Sequence, residues 1–293
     1  MNCSHRAARP STCQPTERRA FTLIELLTVI AIVGVLAAIL LPALSRARDR
    51  SQGMFCLNNT RQLLLAWVLY ADDHESRLPY NLQMNRSSAR NPLNWVNNVM
   101  SWELDSDNTN LTTITGASLG PYVVGMTSIY RCPSDRALSQ RQMEAGWTQR
   151  IRSYSMNSMV GDDGSTNGVS TNNPAYKQFL KMEQIPHPAD IFVFLDEHPD
   201  SIDDGSFANR DTPAAAGLYS VTLNEWSNLP GSYHNRSAAF SFADGHASLH
   251  HWSRPTTVAP PAAYAAHLPI PVPAASAENA DFDWVIGHMS VER

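Results

Sequence analysis

The chain has 293 residues, 43% of them hydrophobic and 17% charged, enough apolar content to bury a core and so to exclude disorder throughout. A formal net charge of −5 argues against a nucleic-acid surface, and no nucleic-acid partner is expected. The charge is uneven: residues 1–20 carry Arg6, Arg9, Arg18 and Arg19 against Glu17 alone, a net +3 whose removal would leave −8.

After this basic leader, Phe21 to Leu41 read FTLIELLTVIAIVGVLAAILL, 21 positions with one charge. As a helix the run would span roughly 31 Å, about the thickness of a bilayer's hydrocarbon core. Arginines on its N-terminal side place the N-terminus in the cytoplasm and the remainder outside, with Arg46, Arg48 and Arg50 opposing that orientation. A secretory signal has a shorter apolar core and a small-residue cleavage site behind it, whereas this run continues into helical sequence. A buried core helix is rarely apolar all round for so long. Glu25 is the anomaly, because a carboxylate within a membrane span is costly and marks a functional position by default.

The stretch Arg18-Arg19-Ala20, followed by Phe21-Thr22-Leu23-Ile24-Glu25-Leu26-Leu27, resembles the signal of type IV prepilins and type II secretion pseudopilins. The resemblance implies that a prepilin peptidase cuts between Ala20 and Phe21 and methylates the Phe21 amine. It also implies that Glu25 neutralises a neighbouring subunit's N-terminal amine during assembly. Pro42 matches a helix-bending proline common in that family. Ala20 stands where the family usually has glycine.

Helical sequence continues to about Tyr70, with Leu57, Leu64, Trp67 and Val68 on a face suited to packing on a domain. One long helix bent at Pro42 is expected. Asp72 to Asn110 read as loops with short strands, and Ile129 to Asp135 as a strand ending in a turn. Ile191 to Leu195 are expected as a buried strand, closed by an acidic stretch holding Asp196, Glu197, Asp200, Asp203 and Asp204 that reads as a solvated loop; its spacing does not fit the D-x-[DN]-x-[DN]-G pattern, and calcium binding there is the alternative. Ala238–Phe242 and Ala247–Trp252 flank Asp244-Gly245, a hairpin signal of the type I′ kind. Pro255 to Pro273 are Pro/Ala-rich and extended.

His234 and Asp244-Gly245 read H-x9-DG, which resembles the C-terminal motif of a pseudopilin-like family of planctomycetes and verrucomicrobia. The match extends to Cys56 with Asn59, to Cys132-Pro133-Ser134-Asp135 and to Ser153-Tyr154-Ser155-Met156-Asn157. The resemblance implies an architecture and leaves the biochemical task open.

Of four cysteines, Cys3 and Cys13 precede the apolar run, so the mature chain keeps Cys56 and Cys132. An even pair suits an oxidising compartment, and a Cys56–Cys132 disulfide is the expectation, two separate buried thiols the alternative. His234, Asp244, His246 and His250 offer ligand types for zinc, but the plainer reading is a structural hairpin, with His234 bonding the turn or nearby backbone and no metal or other cofactor. No G-x-S-x-G, H-E-x-x-H, P-loop or deaminase signature occurs, so an enzyme is not expected.

The resulting expectation is a pilin-like α+β fold, a long N-terminal transmembrane helix packed on an antiparallel sheet. Its parts are a leader (1–20), a membrane and assembly helix (21–41), a helix continuation (42–71), an extracytoplasmic domain (72–254) and a C-terminal segment (255–293). The expected role is a filament subunit in the cytoplasmic membrane, with prepilin peptidase and other pseudopilin subunits as partners. The rivals are a membrane-tethered binding protein or adhesin and a tethered metal-dependent hydrolase centred on His234.

Overall fold

Leu23–Asp73 form one 51-residue helix, α1, which continues through Pro42. A computed structural model describes residues 22–164, 169, 173–209, 225–263, 270–271 and 280–293. The leader and the expected cleavage site at Ala20 and Phe21 lie outside the described residues. The chain divides into two compact units, residues 1–47 and 48–293.

In the first unit the apolar stretch of α1 is unburied, and Leu23 is 83% exposed. Leaving Ile24, Leu27, Ile30, Val33 and Leu41 in water would be unfavourable by about 25 cal/mol per Å² of apolar area. The helix is long and apolar enough to cross a membrane.

In the second unit α1 changes character: Cys56, Leu63, Leu64, Trp67 and Ala71 are buried, while Leu65 and Leu69 on other faces are exposed. The buried stripe packs with one side of a five-stranded sheet, joining Tyr154, Met156, Phe194 and Ala239 in one hydrophobic cluster. The strands are β1 (Tyr154–Asn157), β2 (Phe192–Asp196), β3 (Ser206–Phe207), β5 (Ser237–Phe242) and β6 (Ala247–His251) in the order β3-β1-β2-β5-β6. Only β1 and β3 pair in parallel. A separate two-stranded ribbon pairs β4 (Glu225–Trp226) with β7 (Ile270–Pro271). Short helices α2 (Thr112–Thr115) and α3 (Gln140–Glu144) lie in the connection between α1 and β1. The layout is α+β and pilin-like: a long N-terminal helix followed by a mostly antiparallel sheet.

Strands β1, β2 and β5 are buried on both sides, while the edge strand β6 is partly exposed. Ala238, Phe240 and Phe242 alternate into a second cluster with Phe192, Leu195, Trp252 and the C-terminal helix α4 (Ala280–Gly287). Val193 and Phe194 both join the first cluster, and the β2–β5 pairing shifts register between Phe192 and Phe194, as a bulge does.

Four sequence expectations are corrected. Thr127–Tyr130 form a single 3₁₀ turn where a strand was expected, and Ile129 and Tyr130 reach the core cluster from that turn without strand pairing. Most of the acidic segment is buried: Asp196, Glu197, Asp200 and Asp204 are enclosed while Asp203 is exposed, and the Arg152 guanidinium donates to the Asp203 and Asp204 carbonyls. The buried Arg152 cation thus comes to this segment from another part of the chain, a pairing that sequence spacing does not reveal. Residues beyond 279 form α4 and complete the core through Phe282, Val285, Ile286 and Met289. Finally, Cys56 and Cys132 are free, buried thiols.

Candidate functional site

Two places in the molecule gather the residues singled out above. The first is the start of α1. Thr22 precedes the helix, and its backbone N–H and hydroxyl donate to Glu25 Oε2 at 2.9 and 2.6 Å. The Glu25 N–H donates back to Thr22 Oγ1 at 3.3 Å. A Thr followed three residues on by Glu is the capping-box spacing, and it satisfies backbone donors that a helix start leaves without partners. The glutamate that looked costly as a lone charge thus sits at the positive end of the helix, beside the expected mature N-terminus.

The second lies where the helix meets the sheet. Cys56 of α1, Cys132, Asp196 at the end of β2 and His234 are all buried, each with a ligand-type atom within 4.8 Å of the others. His234 Nε2 is 3.4 Å from Cys132 Sγ and 3.5 Å from Asp196 Oδ2. Ala239 N–H donates to Asp196 Oδ2 at 2.8 Å, whereas Asp196 Oδ1 and His234 Nδ1 have no hydrogen-bond partner among the described residues.

Local structure aims each side chain. Asn59 Nδ2 donates to the Arg131 carbonyl at 3.0 Å, and Ser134 Oγ to Gln52 Oε1 at 2.9 Å, pinning the Cys132 turn to α1. The Asp135 N–H closes that turn on the Cys132 carbonyl, and the Ser153 hydroxyl donates to Asp135 Oδ2 at 2.7 Å, fixing it to the head of β1. His234 is followed by Asn235 and Arg236 at φ 53° and 64°, two successive left-handed residues that turn the chain into β5.

Burial pushes the Cys56 and Cys132 thiols up, the latter strongly. Burial alone would lower His234, but bonding to Asp196 and Cys132 overrides it and raises the imidazole to about 10. Tyr154 is pushed well up by burial, with Asp196 and the two cysteines beside it.

His234 does not bond the Asp244-Gly245 turn. The six extended residues of β5 separate them by roughly 20 Å, so His234 and Asp244 sit at opposite ends of one strand. The alternative metal set of His234, Asp244, His246 and His250 is excluded on the same ground. Asp244 Oδ1 instead accepts from the His246 backbone N–H at 3.0 Å and lies 2.6 Å from its ring Nδ1. The turn itself differs from the type I′ expectation: Gly245 has φ 102° while Asp244 is not left-handed. With Ser241 paired to Ala247 and Gly245 N–H bonded to the Phe242 carbonyl, it is the three-residue hairpin loop that puts one left-handed residue at its end.

Residues 16–41 match the family model described as the prokaryotic N-terminal methylation motif. The match supports a type IV pilin-like protein, and the motif implies processing by a prepilin peptidase and association with a membrane. No curated protein and no solved structure matches the chain.

Proposed function

We propose that the chain is a structural, non-enzymatic subunit of a type II secretion or type IV pilus-like filament. The reading rests on one observation above others: the Thr22–Glu25 cap begins an unburied apolar helix within the very residues that match the methylation motif. In this account a prepilin peptidase removes residues 1–20, leaving a new amine at Phe21, four positions before Glu25 in the chain. Within a low-dielectric membrane, a carboxylate at a helix start recruits a second subunit's amine and so sets the axial register between neighbours. The helix remains in the cytoplasmic membrane until it polymerises, with the domain beyond residue 47 outside the cytoplasm. The pseudopilin type and the H-x9-DG resemblance belong to this proposal.

Shearing cells and blotting the released fraction tests the reading. A filament subunit is released by shear as a high-molecular-weight polymer, and Glu25→Val abolishes that polymer while leaving membrane-bound monomer. Shear-resistant monomer in the wild type instead identifies a tethered binding protein or adhesin that uses the same export route.

A further inference from the structure

The geometry points to a structural zinc site in which Cys56, Cys132, Asp196 and His234 hold one ion and fasten the helix to the sheet. Tetrahedral zinc has bonds of about 2.3 Å to sulfur and about 2.0 Å to nitrogen or oxygen, which sets the edges between ligand atoms at roughly 3.3 to 3.8 Å. The two edges at His234, 3.4 Å to Cys132 Sγ and 3.5 Å to Asp196 Oδ2, already lie in that range. The remaining separations are no more than 4.8 Å, so the widest would close by about 1 Å around an ion.

The donor set selects the ion. Two thiolates with an imidazole and a carboxylate suit zinc and disfavour calcium or magnesium, which want oxygen alone. With two thiolates, one carboxylate and a neutral imidazole, a divalent ion leaves a net charge of −1, and binding releases the two thiol protons and any imidazolium proton to solvent. Four protein ligands and full burial leave no open position for water or substrate, so the site is structural in kind. Asp196 supports this independently: it is 0% exposed, its Oδ2 is fixed by the Ala239 N–H, and its Oδ1 has no hydrogen-bond partner among the described residues. A buried carboxylate oxygen left so is unfavourable unless something neutralises it.

The ligands come from four separate segments: α1, the turn after Tyr130, the end of β2 and the turn before β5. One ion there would cross-link the helix that enters the membrane to three parts of the exported domain, where a disulfide would join only two.

The test is elemental analysis of the full-length protein, purified in detergent without chelator and with thiols reduced, then repeated after dialysis against zinc. About one zinc per chain is expected, falling below about a tenth in Cys132→Ser and His234→Ala. His234→Cys, which restores a ligand, should recover most of the metal, and His250→Ala, outside the cluster, should keep it. Replacement by cobalt(II) should give the intense visible bands of a tetrahedral thiolate site, and variants that lose the metal should keep wild-type far-UV circular dichroism, which tells lost ligation from unfolding. Metal-free wild-type protein that stays folded and binds no zinc overturns the proposal. So does protein from cells whose Cys56 and Cys132 are joined in a disulfide, found by peptide mapping without reduction.

Discussion

Gly53 of α1 lies against His234: a Cβ added there would stand 3.5 Å from His234 Cγ and 3.2 Å from Leu249 Cδ1. The helix therefore approaches the β5–β6 hairpin as closely as it does because position 53 has no side chain. Gly53→Ala should be close to neutral, since a gain of about 1 kcal/mol in helix propensity offsets the tight contact. Gly53→Leu should destabilise the domain by about 1 to 3 kcal/mol through overpacking. Denaturant unfolding of both variants checks the pair, and a stable Gly53→Leu protein would mean that helix and hairpin are not packed this way.

Glu25 is predicted to matter for assembly and little for insertion. On insertion scales a central carboxylate costs only about 2.5 to 3.5 kcal/mol, which the surrounding leucines, isoleucines and valines outweigh. Glu25→Gln keeps a hydrogen-bond acceptor for Thr22 and loses the charge, so it separates capping from amine recognition. Wild-type membrane levels with little extracellular polymer are expected for Glu25→Gln. Normal polymer from that variant would leave Glu25 as a helix cap alone, a contribution of about 1 kcal/mol.

Gly245 has φ 102° and open space where a Cβ would go. Substitution there is therefore unfavourable through backbone strain and not through a clash. Gly245→Val should destabilise by about 1 to 3 kcal/mol, and Gly245→Asn by less, because asparagine tolerates a left-handed backbone. Equal losses in the two variants, read from thermal unfolding, would place the effect elsewhere.

Asp281, in the first turn of α4, should impose an acid limit on stability. Burial alone would raise its carboxyl, but the Ser253 hydroxyl and the Arg254 and Ser253 amides hold it below the ordinary 3.8. The folded state therefore releases this proton more readily than the unfolded one. Its contribution is complete above the unfolded value and is lost as pH falls through the folded one. Asp281→Asn should lower stability at neutral pH and flatten the decline below about pH 4. Unfolding midpoints from pH 7 to 3 decide, and an unchanged acid slope would show that other carboxylates carry it.

How much of this was legible in the sequence varies with the range of the interaction. The apolar N-terminal helix and the β5–β6 hairpin announce themselves because their signals are local: an apolar run with Glu25 its one charge, and Phe240 and Phe242 two apart before Asp244-Gly245. The buried cluster is not local. Cys56, Cys132, Asp196 and His234 are 76, 64 and 38 residues apart, so no short spacing betrays them. H-x9-DG looks like one unit, yet the six-residue strand inside it holds His234 and Asp244 at opposite ends. Burial of the acidic stretch is not local either: Arg152, which donates to the Asp203 and Asp204 carbonyls, lies on another segment. For α4 the signal is local: Phe282, Val285 and Ile286 keep helical spacing after Asp281, although a proline-rich stretch precedes them.

The central claim is that this is a prepilin-type subunit matured at the head of α1, and mass spectrometry of the mature N-terminus tests it most directly. With an active peptidase present, membrane-extracted protein should begin at Phe21, its amine carrying one methyl group, with residues 1–20 gone. A chain from the same membranes that still begins at Met1, or that is cut within or beyond the apolar helix, would contradict the account.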